Sequence, residues 1–326
     1  MAAFSRREFL HLAAGAAAFP IVTRTAAAQA YPSRPVRWIV GFAPGGGNDL
    51  VARLLGQRLS ERLGQPFVIE NRPGAAGNLA ADAVVHARPD GHTLLLVSSN
   101  NATNAAVYDN LSFDFLRDIA PVAGIGRTPL LMAVNPAVPA KTVADFIAYA
   151  KANPGKVNMG SAGTGGIGHL AGEEFKMMAG VDMTHVPYRG NGPALTGLLG
   201  GEVQVLFPSL ASGLEFVSTG KLRALAVASA QRAEKLPDLP TIAESVPGFE
   251  ASTWYGVGAP RSTPAAIIER LYTEIDAVLA EPAMTARFAE LGDVPRPMTP
   301  AAFGQYVAGE TEKWRKVAKF AGVKPE

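Results

Sequence analysis

The chain has no cysteine, which excludes disulfides, thiolate nucleophiles and cysteine-ligated metals together. Histidine is scarce, at 5. The four beyond residue 30 (His86, His92, His169 and His185) show neither H-x-x-x-H nor H-E-x-x-H spacing, so no metal site is expected. Beyond residue 30 no run of about twenty uninterrupted apolar residues occurs, so no segment there is expected to span a bilayer. Low-complexity tracts and short repeats are missing too, and an apolar fraction of 48% excludes disorder. Neither sign of charge prevails. The small basic excess sits in residues 1–30, with Arg6, Arg7 and Arg24 against Glu8, and the rest holds acids and bases in equal number. Nucleic acid and anionic membrane are therefore not expected as partners. No G-x-x-x-x-G-K-[ST] loop is present, and Met159 stands where a nucleophile elbow around Ser161 would need glycine.

What is there begins with an address. Ser5-Arg6-Arg7-Glu8-Phe9-Leu10 is a twin-arginine pattern, a moderately apolar run follows, and Ala28-Gln29-Ala30 is a small-x-small cleavage site. Residues 1–30 are expected to be a signal peptide that takes the protein to the periplasm by the twin-arginine route.

From Val36 onward β and α patterns alternate. Strands are expected at 36–42, 67–70 and 93–97, with helices after Asp49 and at 77–87. Leu50, Val51, Leu54, Leu55, Leu59 and Leu63 recur at helical spacing, and Gly64 is placed to stop that helix. A second alternating block starts after Asn135-Pro136, where Thr142 can cap a helix over 143–153 with Asp145 in its first turn. It continues with strands at 157–160, Thr184–Pro187 and 203–207 and helices at 168–179, 193–200 and 210–219. An apolar strand at 223–228 is expected to return to the first sheet. A strand at 254–259 and three helices opening near Pro264, Pro282 and Pro300 complete the chain. Strands alternating with helices imply largely parallel sheets covered on both faces. Two such blocks with two chain crossings predict a discontinuous first lobe, 31–128 plus 229–326, a second lobe, 129–228, and a ligand cleft between them.

Two junctions carry the chemistry. Gly41-Phe42-Ala43-Pro44-Gly45-Gly46-Gly47-Asn48-Asp49 and Gly160-Ser161-Ala162-Gly163-Thr164-Gly165-Gly166-Ile167-Gly168-His169 each lie between a strand's carboxyl end and a helix. There, unpaired N–H groups and the positive end of the helix dipole converge, and glycine lets the main chain approach an anion directly. Ser161 and Thr164 add hydroxyls, so a small organic carboxylate suits the site without lysine or arginine. Asp49 reads as a first-turn residue that satisfies N–H groups, and His169 as a neutral hydrogen-bonding group, not a catalyst. Phe42 and Tyr188, beside the loops, and Ser98, after the third strand, are further cleft candidates. Leucine at Gly46 or Ser161 is expected to block the anion and leave the fold intact. A second reading stays open: Gly163-x-Gly165-x-x-Gly168 fits a dinucleotide fingerprint, with Arg189 available for a 2′-phosphate, as in an exported NADP-dependent oxidoreductase.

With these loops in view, the chain resembles the Bug family, the extracytoplasmic receptors of tripartite tricarboxylate transporters. The resemblance rests on Tyr31-Pro32-Ser33-Arg34-Pro35, Pro44-Gly45-Gly46-Gly47-x-Asp49, Glu70-Asn71-Arg72-Pro73-Gly74-Ala75, Pro89-Asp90-Gly91-His92-Thr93-Leu94, Val186-Pro187-Tyr188-Arg189-Gly190 and Leu236-Pro237-Asp238-Leu239-Pro240-Thr241. It implies an α/β periplasmic-binding-protein fold whose two lobes, each with a mostly parallel sheet flanked by helices, close on a carboxylate. Phe42 to Asp49 and Ser161 to Gly166 would act as pincers, largely through main-chain groups. A monomeric binding protein, not an enzyme, is expected, with no cofactor and with a membrane permease of the tripartite type as partner; a signalling sensor in place of the permease stays open. Asn48 departs from the family's usual Thr or Ser, Gly41 and Ala43 from its common prolines, and Leu206-Phe207-Pro208-Ser209-Leu210 lacks the small polar or acidic residue often found after the phenylalanine.

Overall fold

A computed structural model of the chain describes residues 31–108 and 111–323, so the expected signal peptide lies outside the described residues. The strands form two mixed sheets, flanked by helices. In the six-stranded sheet the order is β11-β4-β10-β3-β1-β2, and in the five-stranded sheet β7-β6-β8-β5-β9.

The first sheet starts with β1 (Val36–Val40), parallel to both β2 (Phe67–Asn71) and β3 (Thr93–Ser98). Its other strands, β4 (Ile119–Pro129), β10 (Ser252–Pro260) and β11 (Val294–Met298), pair antiparallel. Helix α1 (Gly47–Leu63) buries Val51, Leu55 and Leu59 against this sheet and stops at Gly64, left-handed at φ 68°. Helices α2 (Asn78–Val85), α3 (Ser99–Val107) and α4 (Phe115–Asp118) follow on the same half.

The second sheet joins β5 (Leu131–Val134), β6 (Asn158–Ser161), β7 (Thr184–Pro187), β8 (Val205–Leu206) and β9 (Arg223–Val227). Strand β9 pairs antiparallel with β5, Leu131 facing Val227, so the strand expected to return to the first sheet stays in the second. Helix α5 (Val143–Ala152) carries the expected cap: Asp145 N–H donates to Thr142 Oγ1 at 3.0 Å, and Thr142 N–H to Asp145 Oδ2 at 3.0 Å. Helices α6 (Ile167–Ala179), α7 (Asn191–Gly200) and α8 (Leu210–Ser218) complete this half. Phe146, Phe175, Phe207 and Phe249 form its core.

After α9 (Ala265–Leu279) and α10 (Pro282–Leu291), the last helix, α11 (Pro300–Ala321), links both halves. Its 22 residues bury Phe303 and Val307 in the core around Trp254, and Trp314, Val317 and Ala318 in the core around Phe175. Glu310 sits between these sets and accepts the indole N–H of Trp254 at 3.0 Å and of Trp314 at 3.1 Å. The chain thus passes between the sheets twice, at 129–131 and between β9 and β10, and is also braced by a helix that leans on both.

Candidate functional site

The two sheets enclose a cleft of about 680 Å³, within the usual range for small-molecule pockets. Helix α1 enters it from one side and α6 from the other, and their starts are built alike. Each has a glycine N-cap in extended conformation, Gly46 (φ −79°, ψ 166°) and Gly166 (φ −69°, ψ 159°), with no side chain to cap the helix. Each N-cap follows a left-handed glycine, Gly45 (φ 83°) and Gly165 (φ 76°). In each, the third helical residue holds that glycine's amide: Gly45 N–H donates to Asp49 Oδ2 at 2.9 Å, and Gly165 N–H to His169 Nδ1 at 3.0 Å. The repeated pattern is Gly-Gly-x-x-acceptor. It fixes the turn from beneath and leaves the first helical amides, at Gly47, Asn48, Ile167 and Gly168, to the cleft side of the helix end, where α-helical geometry gives them no partner. Helix dipoles add positive potential at both points.

Asp49 is buried. Its Oδ1 accepts from Asn71 Nδ2 at 2.9 Å, and its Oδ2 also accepts from Arg53 Nε at 2.9 Å. Burial pushes its carboxyl up, but the bonds from Arg53, Gly45 and Asn71 outweigh that and hold it below the ordinary carboxylate range. Under the second loop, Ser161 Oγ meets His185 Nε2 at 2.7 Å and accepts Gly163 N–H at 3.2 Å. His185 stacks on His169, centroids 3.6 Å apart, and burial together with His169 pushes it down to about 4, so it is neutral at neutral pH. Since His169 Nδ1 accepts an amide, its proton belongs on Nε2, which lies 3.6 Å from Glu173 Oε1.

Of the residues singled out in the sequence, Phe42, Gly46, Gly47, Asn48 and Ser98 line the cleft from one side, and Ser161, Ala162, Gly163, Thr164, Gly165, Gly166 and His169 from the other. Four do not. Asp49 spends both oxygens beneath its loop; Gly45 turns its amide inward to Asp49; Ala43 lies on the exposed outer crest. Tyr188 donates its hydroxyl to Glu202 Oε2 at 3.0 Å and packs over Gly197 behind β6. Ser161 is almost fully enclosed, so leucine there would break the loop instead of only blocking the anion. Arg189, which a 2′-phosphate would need, is not on the cleft wall.

Sequence reading missed two further helix starts and a wall. Helix α3 brings Ser99, Asn100, Thr103 and Asn104 to the cleft, and α8 brings Ser209 and Ser212. The hydroxyl of Ser99 is buried with no hydrogen-bond partner among the described residues. Ser209 caps α8, accepting Ser212 N–H at 3.3 Å, which was readable as a Ser before an apolar run. Thr128, Tyr255 and Asp293 form the wall, and no local signal marked Thr128 or Asp293.

A family model described as "Tripartite tricarboxylate transporter family receptor" matches residues 51–323. The chain belongs to this receptor family. Among curated relatives, Protein BugT of Bordetella pertussis is 37% identical, over 91% of this chain and 92% of that protein. A solved structure of Rpa4515 from R. palustris with adipate is 40% identical, covering 91% of this chain and all of that one, with a TM-score of 0.80. MatC from Rhodopseudomonas palustris with bound malate is 34% identical over 88% of this chain and 99% of that one, with a TM-score of 0.75. This is a family of solute-binding receptors, and the dinucleotide reading of Gly163–Gly168 finds no support in it.

Proposed function

We propose that this receptor works in the periplasm, reached by the twin-arginine route, where as a monomer it captures a small carboxylate and delivers it to a membrane permease of the tripartite type. The observation that carries this reading is the matched pair of open helix starts, Gly46–Asn48 and Gly166–Gly168, facing one cleft. The two halves, joined at 129–131 and between β9 and β10, act as lobes that close when the anion bridges the two helix ends. Closure follows only if the ligand binds the closed form better than the open one. A hydrogen bond to a charged group contributes about 1.5–3 kcal/mol net, so four or five offset the entropy of capture and leave a micromolar dissociation constant. The binding of adipate and of malate by similar receptors supports the carboxylate class.

The test is a thermal-shift screen of the purified receptor against organic acids, followed by calorimetry. At about a hundred times its dissociation constant, a bound acid adds about 2.7 kcal/mol and raises the melting temperature by about 5 °C. If no acid shifts the melting temperature, the reading is wrong.

A further inference from the structure

No lysine or arginine lines the cleft, and Asp293 is its one carboxyl among the described residues. An acid on the wall of an anion site needs a reason. Asp293 follows the left-handed Gly292 that ends α10, and its own N–H closes that helix end on Phe288 O at 2.9 Å. Gly292 packs against Ala211 of α8, so Asp293 sits where the two halves meet. Its Oδ1 accepts from Thr128 Oγ1, whereas its Oδ2 takes no hydrogen bond from the described residues. Thr128 Oγ1 lies 2.9 Å from the Tyr255 hydroxyl, which stands 3.3 Å from where a Cβ on Gly47 would be. A short run of contacts therefore links the anion-binding start of α1 to Asp293, a span that a ligand of four to six carbons can bridge.

Burial pushes the Asp293 carboxyl up to about 6, against the opposing pull of Thr128 and of Lys235. At neutral pH it is mostly ionised, in a place that disfavours the charge, and a cationic partner would relieve that cost. A second ligand carboxylate at the same spot would add to it.

We infer that Asp293 sets the receptor's specificity: it accepts a hydrogen bond from a protonated amine at the far end of the bound carboxylate and turns away ligands that end in a second carboxylate. This rests on the carboxylate reading above and narrows it to small amino acids whose two charges are separated by several carbons. A hydroxyl at the same position serves less well, as a donor without charge.

Calorimetry at pH 7.5 with butanoate, 4-aminobutanoate and succinate, and with the matching five- and six-carbon sets, tests this. In the wild type, the amino member of at least one set is expected to bind about tenfold tighter than its bare and dicarboxylate counterparts. In Asp293→Asn, the amino member is expected to lose about tenfold while the dicarboxylate gains. Tighter binding of dicarboxylates by the wild type, or an unchanged ratio in Asp293→Asn, overturns the inference while leaving the carboxylate site intact. Binding of no acid at all refutes the site itself, and the inference with it. The wild-type comparison decides the matter even if the variant does not fold.

Discussion

Gly46→Leu abolishes carboxylate capture, weakening binding by at least about a hundredfold, and leaves the fold in place. Gly46 sits at φ −79°, ψ 166°, a conformation open to any residue, and a Cβ there meets nothing nearer than Ala43 O at 3.7 Å. The leucine would therefore stand without strain on the cleft wall, over the first amides of α1. Losing two charge-assisted hydrogen bonds of about 1.5–3 kcal/mol each accounts for the hundredfold. Leucine is a poorer N-cap than glycine by about 1 kcal/mol, so the melting temperature falls by only about 2 °C. Calorimetry and a melting curve on the same sample check both halves. Wild-type affinity in a folded variant would contradict the assignment.

Asp49→Ala is expected to cost about 2–3 kcal/mol of stability and to weaken binding about tenfold, although Asp49 does not touch the cleft. The loss removes the acceptor for Gly45 N–H, Arg53 and Asn71, and Asn71 also donates to Phe42 O at 3.0 Å, so the whole first loop loosens. The pH dependence has a definite sign. Because the folded carboxyl is held below its ordinary range, its contribution is complete above the unfolded value of about 3.9 and is lost as pH falls toward the lower folded value. Denaturant unfolding of wild type and Asp49→Asn should therefore give a stability gap at pH 6 that narrows below about pH 4. A gap independent of pH would mean that Asp49 is not ionised under its loop.

The alternation of strands and helices was legible because α1 and α6 bury one regular stripe each and end at glycines. Strand β4 was not. Pro121, Gly124, Gly126 and Pro129 interrupt its apolar pattern and no strand was expected there, yet the two central glycines are what let Met298 and Phe288 cross the strand, since a Cβ at either would come within 2.9 Å of those side chains. Helix α3 was hidden by Asn100, Asn101 and Asn104, poor helix formers; here Asn101 accepts the Ser98 N–H at 2.9 Å and Asn104 Nδ2 donates to the distant Asn78 Oδ1 at 3.0 Å. The division of α11 between two cores was unreadable, because an apolar stripe does not name its partners. In the site, the glycine loops could be seen from residue types alone. Tyr188 was misplaced because adjacency to a loop in sequence does not decide which side of β6 a side chain packs on, and Asp293 was invisible because its bond from Thr128, and that of Thr128 with Tyr255, are long-range.

The central claim is that main-chain amides at two helix starts hold the anion, and amide-resolved nuclear magnetic resonance tests it most directly. Titration of ¹⁵N-labelled receptor with the tightest acid from the screen should move the Gly47, Asn48, Ile167 and Gly168 amide protons downfield together, as new charge-assisted hydrogen bonds form. Saturable binding that leaves the amides of both helix starts where they were would contradict the account.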